Sequence, residues 1–361
     1  MFAVFKKRRM GMSLMRWSLV VVMLFSLNST MSLFAAQAAQ NEFNKMLAHL
    51  IDNRFKMFDD SYKKSMENFI KAGARADEIT TDGRTLLQLM IDINYPELVK
   101  FLLDNGADIN KHINTSGWTY LHLATKKGYD DIVEILLQHS KSNINEKTST
   151  GLTPLHIAAH DGHIEIVKLL LRYDANVDEK TNNGITPLSF AVEKRYREIV
   201  AVLLNKNANV NAKDDDSWVP LHFAANGGFS EIVKLLLDKD AKVNEKVNEG
   251  WTPLHFAAKK GFKDIVRFLL NKNADVNPRS NEGWTPLHLA AEGNFTESVD
   301  ILLDGGADIF IKNNQGITAD ALTKNPEIDQ MIQLAPLKRA LTALKAKLAA
   351  LAGALEKIQK K

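Results

Sequence analysis

Apolar residues recur along the chain as paired doublets. Ile132-Val133 with Leu136-Leu137 returns as Ile166-Val167 with Leu170-Leu171, as Ile232-Val233 with Leu236-Leu237, and as Ile265-Val266 with Leu269-Leu270. Spacings of i, i+1, i+4 and i+5 put all four side chains on one helical face, so each set predicts a short amphipathic helix. Ahead of it lies a slimmer pattern. Ala158-Ala159, Ala224-Ala225, Ala257-Ala258 and Ala290-Ala291 form the inward positions of a helix that can pack closely on its neighbours. Residues that tolerate the left-handed conformation stop both helices. The slim helix ends at Gly128, Gly162, Gly228 or Gly261, with Asn94 and Asn294 in the same place; the amphipathic one ends at Gly106, Asp174, Asn207, Asp240, Asn273 and Gly306.

These patterns share one period. Gly83, Gly117, Gly151, Gly184, Ser217, Gly250, Gly283 and Gly316 follow one another at steps of 33 or 34 residues. A fixed step of that length predicts stacked repeats. The two longer steps trace to one added residue between Asn110 and Gly117 and another between Leu137 and Asn145. Each unit opens on a turn such as Asn281-Glu282-Gly283 or Asn182-Asn183-Gly184, where Gly supplies the positive φ of a tight hairpin. Thr-Pro-Leu-His follows, with Thr placed to cap the helix and Pro in its first turn, where no N–H is needed.

The unit G-x-T-P-L-H-x-A-A, a second helix, then Gly/Asn-Ala-x-Val-Asn resembles the ankyrin repeat. The resemblance covers 81–335, as seven units and a weaker closing one at 316–334. It implies an all-α solenoid of helix-turn-helix units joined by β-hairpin-like turns. Some units depart from the pattern: Leu86-Leu87-Gln88 replaces Pro-Leu-His, Tyr120 replaces Pro, Ser189 replaces His, and Arg195 stands where Gly ends other helices. Thr318-Ala319-Asp320 fits a closing cap.

Outside the repeats the chain has three further segments. Residues 1–38 carry a basic start (Lys6, Lys7, Arg8, Arg9, Arg16), an apolar run over 17–27, and a small-x-small site at Ala36-Gln37-Ala38. Together these predict a secretory signal cut after Ala38, of a compact type that looks bacterial, and a periplasmic or secreted body. The other reading is an uncleaved anchor over 17–39, which Asn28-Ser29-Thr30 interrupts. Residues 39–80 predict a helical cap, a degenerate repeat with Phe43, Met46, Leu47, Leu50 and Ile51, then Met66, Phe69 and Ile70, at helical spacing. After Pro336, Leu337, Leu341, Leu344, Leu348, Leu351, Leu355 and Ile358 step by four and three. That is the seam of an amphipathic, coiled-coil-like helix over 336–361. Its edge residues Lys338, Lys345 and Lys347 have no acidic counterpart, which weakens self-association. The open uses are docking on the acidic body, pairing with an acidic helix, or lying on an anionic membrane.

Charge and composition narrow the function. The net charge of +3 conceals an uneven spread: five bases and no acid in 1–38, seven bases and one acid in 336–361, and −8 between. An acidic body does not offer nucleic acid the basic footprint it requires. There is no cysteine, hence no disulfide and no thiolate metal site. No phosphate loop, nucleophile elbow or paired-carboxylate motif occurs, so neither catalysis nor a cofactor is expected. His122, His156, His222, His255 and His288 share one repeat position, where the resemblance implies a hydrogen bond to turn backbone that ties neighbouring units. His160 and His163 lie three apart without a second pair or carboxylate cluster at ligand spacing, and no metal site is expected. Asp214-Asp215-Asp216 reads as a solvated turn tip or a weak cation site.

Variable surface remains. The resemblance implies a non-enzymatic scaffold that binds an unidentified protein on a concave face lined by turn tips and first-helix ends. The residue after the turn Gly, or after Ser217 in its place, is Trp118, Trp218, Trp251 or Trp284 in four units. Tryptophan is enriched where a ring is desolvated against a partner, although each ring could equally pack on the neighbouring turn. The helix-end positions Lys126, Lys127, His160, Asp161, Lys194, Asn226, Lys259, Lys260 and Glu292 vary while the frame does not. The competing reading is a membrane-associated structural or toxin-like protein acting through its basic tail. Oligomeric state is left open.

Overall fold

The computed structural model describes residues 36–46, 60–77, 79 and 83–359, with side chains as far as Ala354. The basic start and apolar run of the expected signal, Leu47, Leu50, Ile51 and the side chains of Leu355 and Ile358 lie outside the described residues. The chain divides into two compact units, Met1–Asn176 and Val177–Lys361. Over the described residues, both are helical ankyrin-type solenoids.

The first unit begins with α1 (36–46) and α2 (Asp60–Lys71). Ala39, Phe43, Met46, Met66 and Ile70 are buried there, and the Phe43 and Phe69 rings lie 6.0 Å apart. The expected cleavage site Ala36-Gln37-Ala38 falls within α1. Three helical pairs follow: α3 (Leu86–Asp92) with α4 (Pro96–Asp104), α5 (Tyr120–Lys127) with α6 (Asp130–His139), and α7 (Pro154–Asp161) with α8 (Ile164–Arg172). In the second unit the pairs are α9 (Pro187–Glu193) with α10 (Arg197–Asn205), α11 (Pro220–Gly227) with α12 (Ser230–Leu237), α13 (Pro253–Lys259) with α14 (Lys263–Asn271), and α15 (Pro286–Glu292) with α16 (Thr296–Asp304). A 3₁₀ turn, Asp320–Leu322, and a long helix α17, Pro326–Gln359, complete it.

Within each unit, a first helix packs on its own second helix and on the next first helix, as α11 does on α12 and α13. The doublets make this possible. Ile132, Val133, Leu136 and Leu137 are all buried, and so are Ile199, Val200, Leu203 and Leu204. On the first helices α11 and α13, Ala224, Ala225, Ala257 and Ala258 are fully buried, since a larger side chain would push adjacent first helices apart. The left-handed columns occur where the residue types predict: Asp174, Asn207, Asp240 and Asn273 take φ of 60–69°, and Arg195 takes 62° in place of a glycine. The guanidinium carbon of Arg195 lies 5.7 Å from the centre of the Phe229 ring, a cation–π contact beside this strained backbone.

A second use of the helix-end glycines emerges from the structure. The residue before the second helix of each of the seven helical pairs is aromatic: Tyr95, Tyr129 and His163 in the first unit, Tyr196, Phe229, Phe262 and Phe295 in the second. The ring of one repeat sits on the helix-end glycine of the repeat before, His163 on Gly128, Phe262 on Gly228 and Phe295 on Gly261. These glycines therefore serve conformation and close approach together.

Pro336 does not open the terminal helix. α17 starts at Pro326 and runs through Pro336, so the second helix of the closing repeat and the heptad tail are one element. Proline disfavours helix in the residue before it and removes one N–H from the ladder. Burial of Ile328, Ile332 and Ala335 in that stretch outweighs this cost.

Two glycines separate the roles of strain and space. Both have left-handed φ, 74° at Gly228 and 79° at Gly316, but an added Cβ would lie 2.7 Å from the Phe262 ring at Gly228 and meet nothing within 4 Å at Gly316. Gly316→Ala is expected to cost about 1–2 kcal/mol of backbone strain. Gly228→Ala is expected to cost about 1–3 kcal/mol more from overpacking, read as the difference in urea midpoints.

Candidate protein-binding face

The face is built on a buried histidine. Thr119 caps α5, and the His122 Nδ1 accepts from the Thr119 N–H at 3.2 Å and meets its Oγ1 at 2.8 Å. Its Nε2 lies 3.1 Å from the Leu152 carbonyl of the next repeat. The first partner is a donor and the second an acceptor, so the ring is neutral with its proton on Nε2. Thr252–His255 and Thr285–His288 repeat the arrangement in the second unit, with Nε2 3.0 Å from the Trp284 and Ile317 carbonyls. His222 differs in two respects. Val219 replaces the threonine, so Nδ1 accepts only the backbone N–H at 3.1 Å, and Nε2 is 2.9 Å from the Glu245 carbonyl. Burial lowers the pKa of His122, His222 and His255 to about 4 from the ordinary 6.5.

That ladder holds the turns in place. At each turn base a backbone pair closes a hairpin, as from Val247 N to Trp251 O at 3.0 Å and from Gly250 N to Val247 O at 2.8 Å. The tips are linked across repeats, from Asn281 N to Glu249 O and from Asn314 N to Glu282 O, both 3.0 Å. The acidic tip of the Asp214–Asp216 run belongs to the same construction. Asp214 Oδ1 accepts from the Asp216 N–H at 3.0 Å and the Trp218 N–H at 2.8 Å. Burial raises the pKa of the Asp214 carboxyl, and those two bonds only partly offset it.

In the second unit the tryptophans emerge from this frame half-buried. Each packs on the histidine of its own repeat, with centroids 5.9 Å apart for Trp218–His222, 5.7 Å for Trp251–His255 and 5.9 Å for Trp284–His288. Phe256 lies between two of them, 4.8 Å from Trp218 and 5.2 Å from Trp251, and Phe223 is 4.9 Å from Trp218. Lys259 Nζ stands 4.8 Å from the centre of the Trp251 ring. The result is an aromatic row with a cation at its edge. Asn226, Lys260 and Glu292 are exposed at the ends of α11, α13 and α15, and Lys194 lies 3.6 Å from Glu193 beyond α9.

The first unit uses the corresponding positions differently. Trp118 is half-buried on His122 at 5.8 Å. Lys126 pairs with Asp161 at 2.8 Å, His160 also meets Asp161 at 2.7 Å, and Lys127 reaches Asp92 at 3.1 Å. Burial pushes the Asp161 carboxyl up, but Lys126 and His160 outweigh it and hold the pKa below the ordinary value. The Lys126–Asp161 and Lys127–Asp92 pairs tie successive repeats. Among the described residues no group of three or more His, Asp or Glu is placed to hold a metal, and the His163 ring covers Gly128.

Two features of the frame were not assigned from sequence. One is the aromatic before each second helix, including Phe295. The other is the final Asn or Asp of most units, whose side-chain oxygen accepts a backbone N–H from the next, whereas Asn110 accepts from the Ser142 hydroxyl at 2.6 Å. Asp178 takes the backbone N–H of Asn209, Asn211 that of Lys242, Asn244 that of Asp275 and Asn277 that of Asp308, all at 2.8–2.9 Å. Its signal is the Asn that closes Ala-x-Val-Asn. In the last repeat Phe310 occupies the position and is 74% exposed.

The family model described as "Ankyrin repeats (3 copies)" matches residues 33–148, 139–214 and 221–313, most of the chain. The chain belongs to the ankyrin repeat family. It is similar to the ankyrin repeat domain of Bcl-3, whose crystal structure is described as that of a unique member of the IkappaB protein family. Identity to it is 26% and the TM-score 0.55, covering 60% of this chain and 99% of that one. No curated protein matches the chain. Ankyrin repeats are typically non-enzymatic binding scaffolds, and those of this chain imply a protein–protein interaction scaffold.

The histidines of these ankyrin repeats set a pH limit. A folded pKa below the unfolded one means that their contribution is complete above about pH 6.5 and is lost as pH falls towards 4. With folded values of about 4 for His122, His222 and His255, each is expected to contribute on the order of 3 kcal/mol. The urea midpoint should fall across that window, and imidazole resonances should show rings that stay neutral in the native state. Val219→Thr should restore the missing cap on α11, where the neighbouring cap hydroxyls lie 2.7–3.0 Å from Nδ1, and add about 1 kcal/mol in the same measurement.

Proposed function

We propose that the chain binds its protein partner on the turn and first-helix face of Val177–Lys361, with Trp218, Phe223, Phe256 and Trp251 at the centre and Trp284 beside them. The carrying observation is the aromatic row. Trp218, Phe256 and Trp251 follow one another at 4.8 and 5.2 Å, half-exposed and already fixed by the histidine ladder. A partner that covers them orders little on the scaffold side, and large rings desolvated at low entropic cost are what interface centres use. Lys259 over Trp251, together with Lys260, puts positive charge at one edge. The partner chemistry that fits is a segment with a large apolar side chain flanked by carboxylates. The first unit contributes less, because Lys126, Lys127 and Asp161 are engaged between repeats.

A chain with Trp218, Trp251 and Trp284 replaced by alanine is expected to keep its helical ellipticity and lose capture of its partner, by at least about 2 kcal/mol for a centre of this kind. Lys259→Glu with Lys260→Glu should slow association and lower its salt dependence. A triple tryptophan variant that is folded and binds as the natural chain does would refute this face.

A further inference from the structure

The closing helix of the second unit carries a surface that protein binding at the aromatic row does not use. Leu337, Leu341, Leu344, Leu348 and Leu351 of α17 are each 53–67% exposed, an apolar stripe on a helix whose other side is hydrogen-bonded and ion-paired to the repeats as far as Arg339, and whose residues from Ala340 to Ala354 are all exposed. That other side is held firmly. Ile328, Ile332 and Ala335 are buried, Lys338 pairs with Asp304 at 2.9 Å and Asp300 at 3.5 Å, and Arg339 donates to the Leu303 carbonyl at 3.0 Å and the Ala307 carbonyl at 2.6 Å. Arg339 thus caps the carbonyl end of α16, where a cation is favoured by the helix dipole. These contacts set the rotation of α17 about its axis. At 100° per residue the leucines project nearly opposite Ala335 and Arg339, away from the body, where a flat surface can approach them.

Charge decides what covers the stripe. Lys345 and Lys347 stand at its two edges, and 336–361 contains seven bases and one acid. A second copy would bring the same sign to both edges. An anionic bilayer supplies the opposite sign, with room for leucines at the headgroup boundary and for lysine stems that reach back to the phosphates. Among the described residues no helix is long and apolar enough to cross a membrane, so the contact is one that lies on the surface. We propose that α17 from Leu337 onward docks on an anionic lipid surface, leucines inward and Lys345 and Lys347 at the headgroups, and so presents the repeats above it.

The full chain is tested by sedimentation with vesicles of phosphatidylcholine doped with phosphatidylglycerol, against phosphatidylcholine alone. Amide exchange over 337–351 reports on the tail itself, independently of the apolar run at 17–27. The expected result is preference for the doped vesicles and slowed exchange in the tail. Leu344→Asp with Leu348→Asp, exposed positions that leave the fold intact, should lower partitioning about a hundredfold or more, since burying one leucine is worth about tenfold or more. Lys345→Glu with Lys347→Glu should remove the preference for anionic lipid and its sensitivity to salt. Tail exchange that does not change on doped vesicles overturns the proposal. So does a doubled mass that the leucine variant halves without any vesicle effect, which would assign the stripe to a second copy.

Discussion

The hydrogen bond from a buried imidazole to the next repeat's turn is the constraint on which the rest depends. It is the point where the helical layer of one unit is joined to the hairpin of its neighbour, and it operates only if three conditions hold together. The ring must be neutral, Nδ1 must find the donor that caps the first helix, and Nε2 must face a carbonyl 2.9–3.1 Å away. Burial enforces the first and the Thr-Pro-Leu-His register enforces the second. Turn position follows from the third, and with it the positions of Trp118, Trp218, Trp251 and Trp284.

Much of this was legible in the amino acids. Doublets such as Ile232-Val233 and Leu236-Leu237 can bury together only on a helix of that register, and the positive-φ columns occur where Gly, Asn and Asp recur. Arg195 shows the limit of such reasoning, since the stack imposes a left-handed residue even where the side chain resists it. Pro336 shows it again: a local preference for a boundary is overruled by the burial of Ile332 and Ala335. The tail was readable as a helix from its leucine spacing, but its start, and which side meets the body, depend on contacts with α16 distant in sequence.

The candidate face was less legible because residue type alone does not say who pairs with whom. Lys126 and Lys259 hold the same position in their repeats and look alike as exposed lysines. In the structure one is drawn to Asp161 of the following repeat and the other rests over Trp251. Partial burial of the tryptophans combines both readings open at the outset: each ring is packed on its own histidine and still offers an edge. The half that is packed makes the half that is offered rigid.

The inter-repeat contacts also have a direction. Within each unit of the molecule, the imidazole N–H points from one repeat to a carbonyl of the next, and the ring of the later repeat covers a glycine of the earlier one. Cutting the stack therefore yields two unlike ends. Removing the later repeat takes the acceptor from an imidazole N–H and uncovers a glycine socket, whereas removing the earlier one frees a turn carbonyl together with the backbone N–H groups that its Asn or Asp side chain and its turn tip had accepted. The closing repeat answers that asymmetry with chemistry of its own: it gives His288 the Ile317 carbonyl, and places Phe310 where no later amide needs an acceptor.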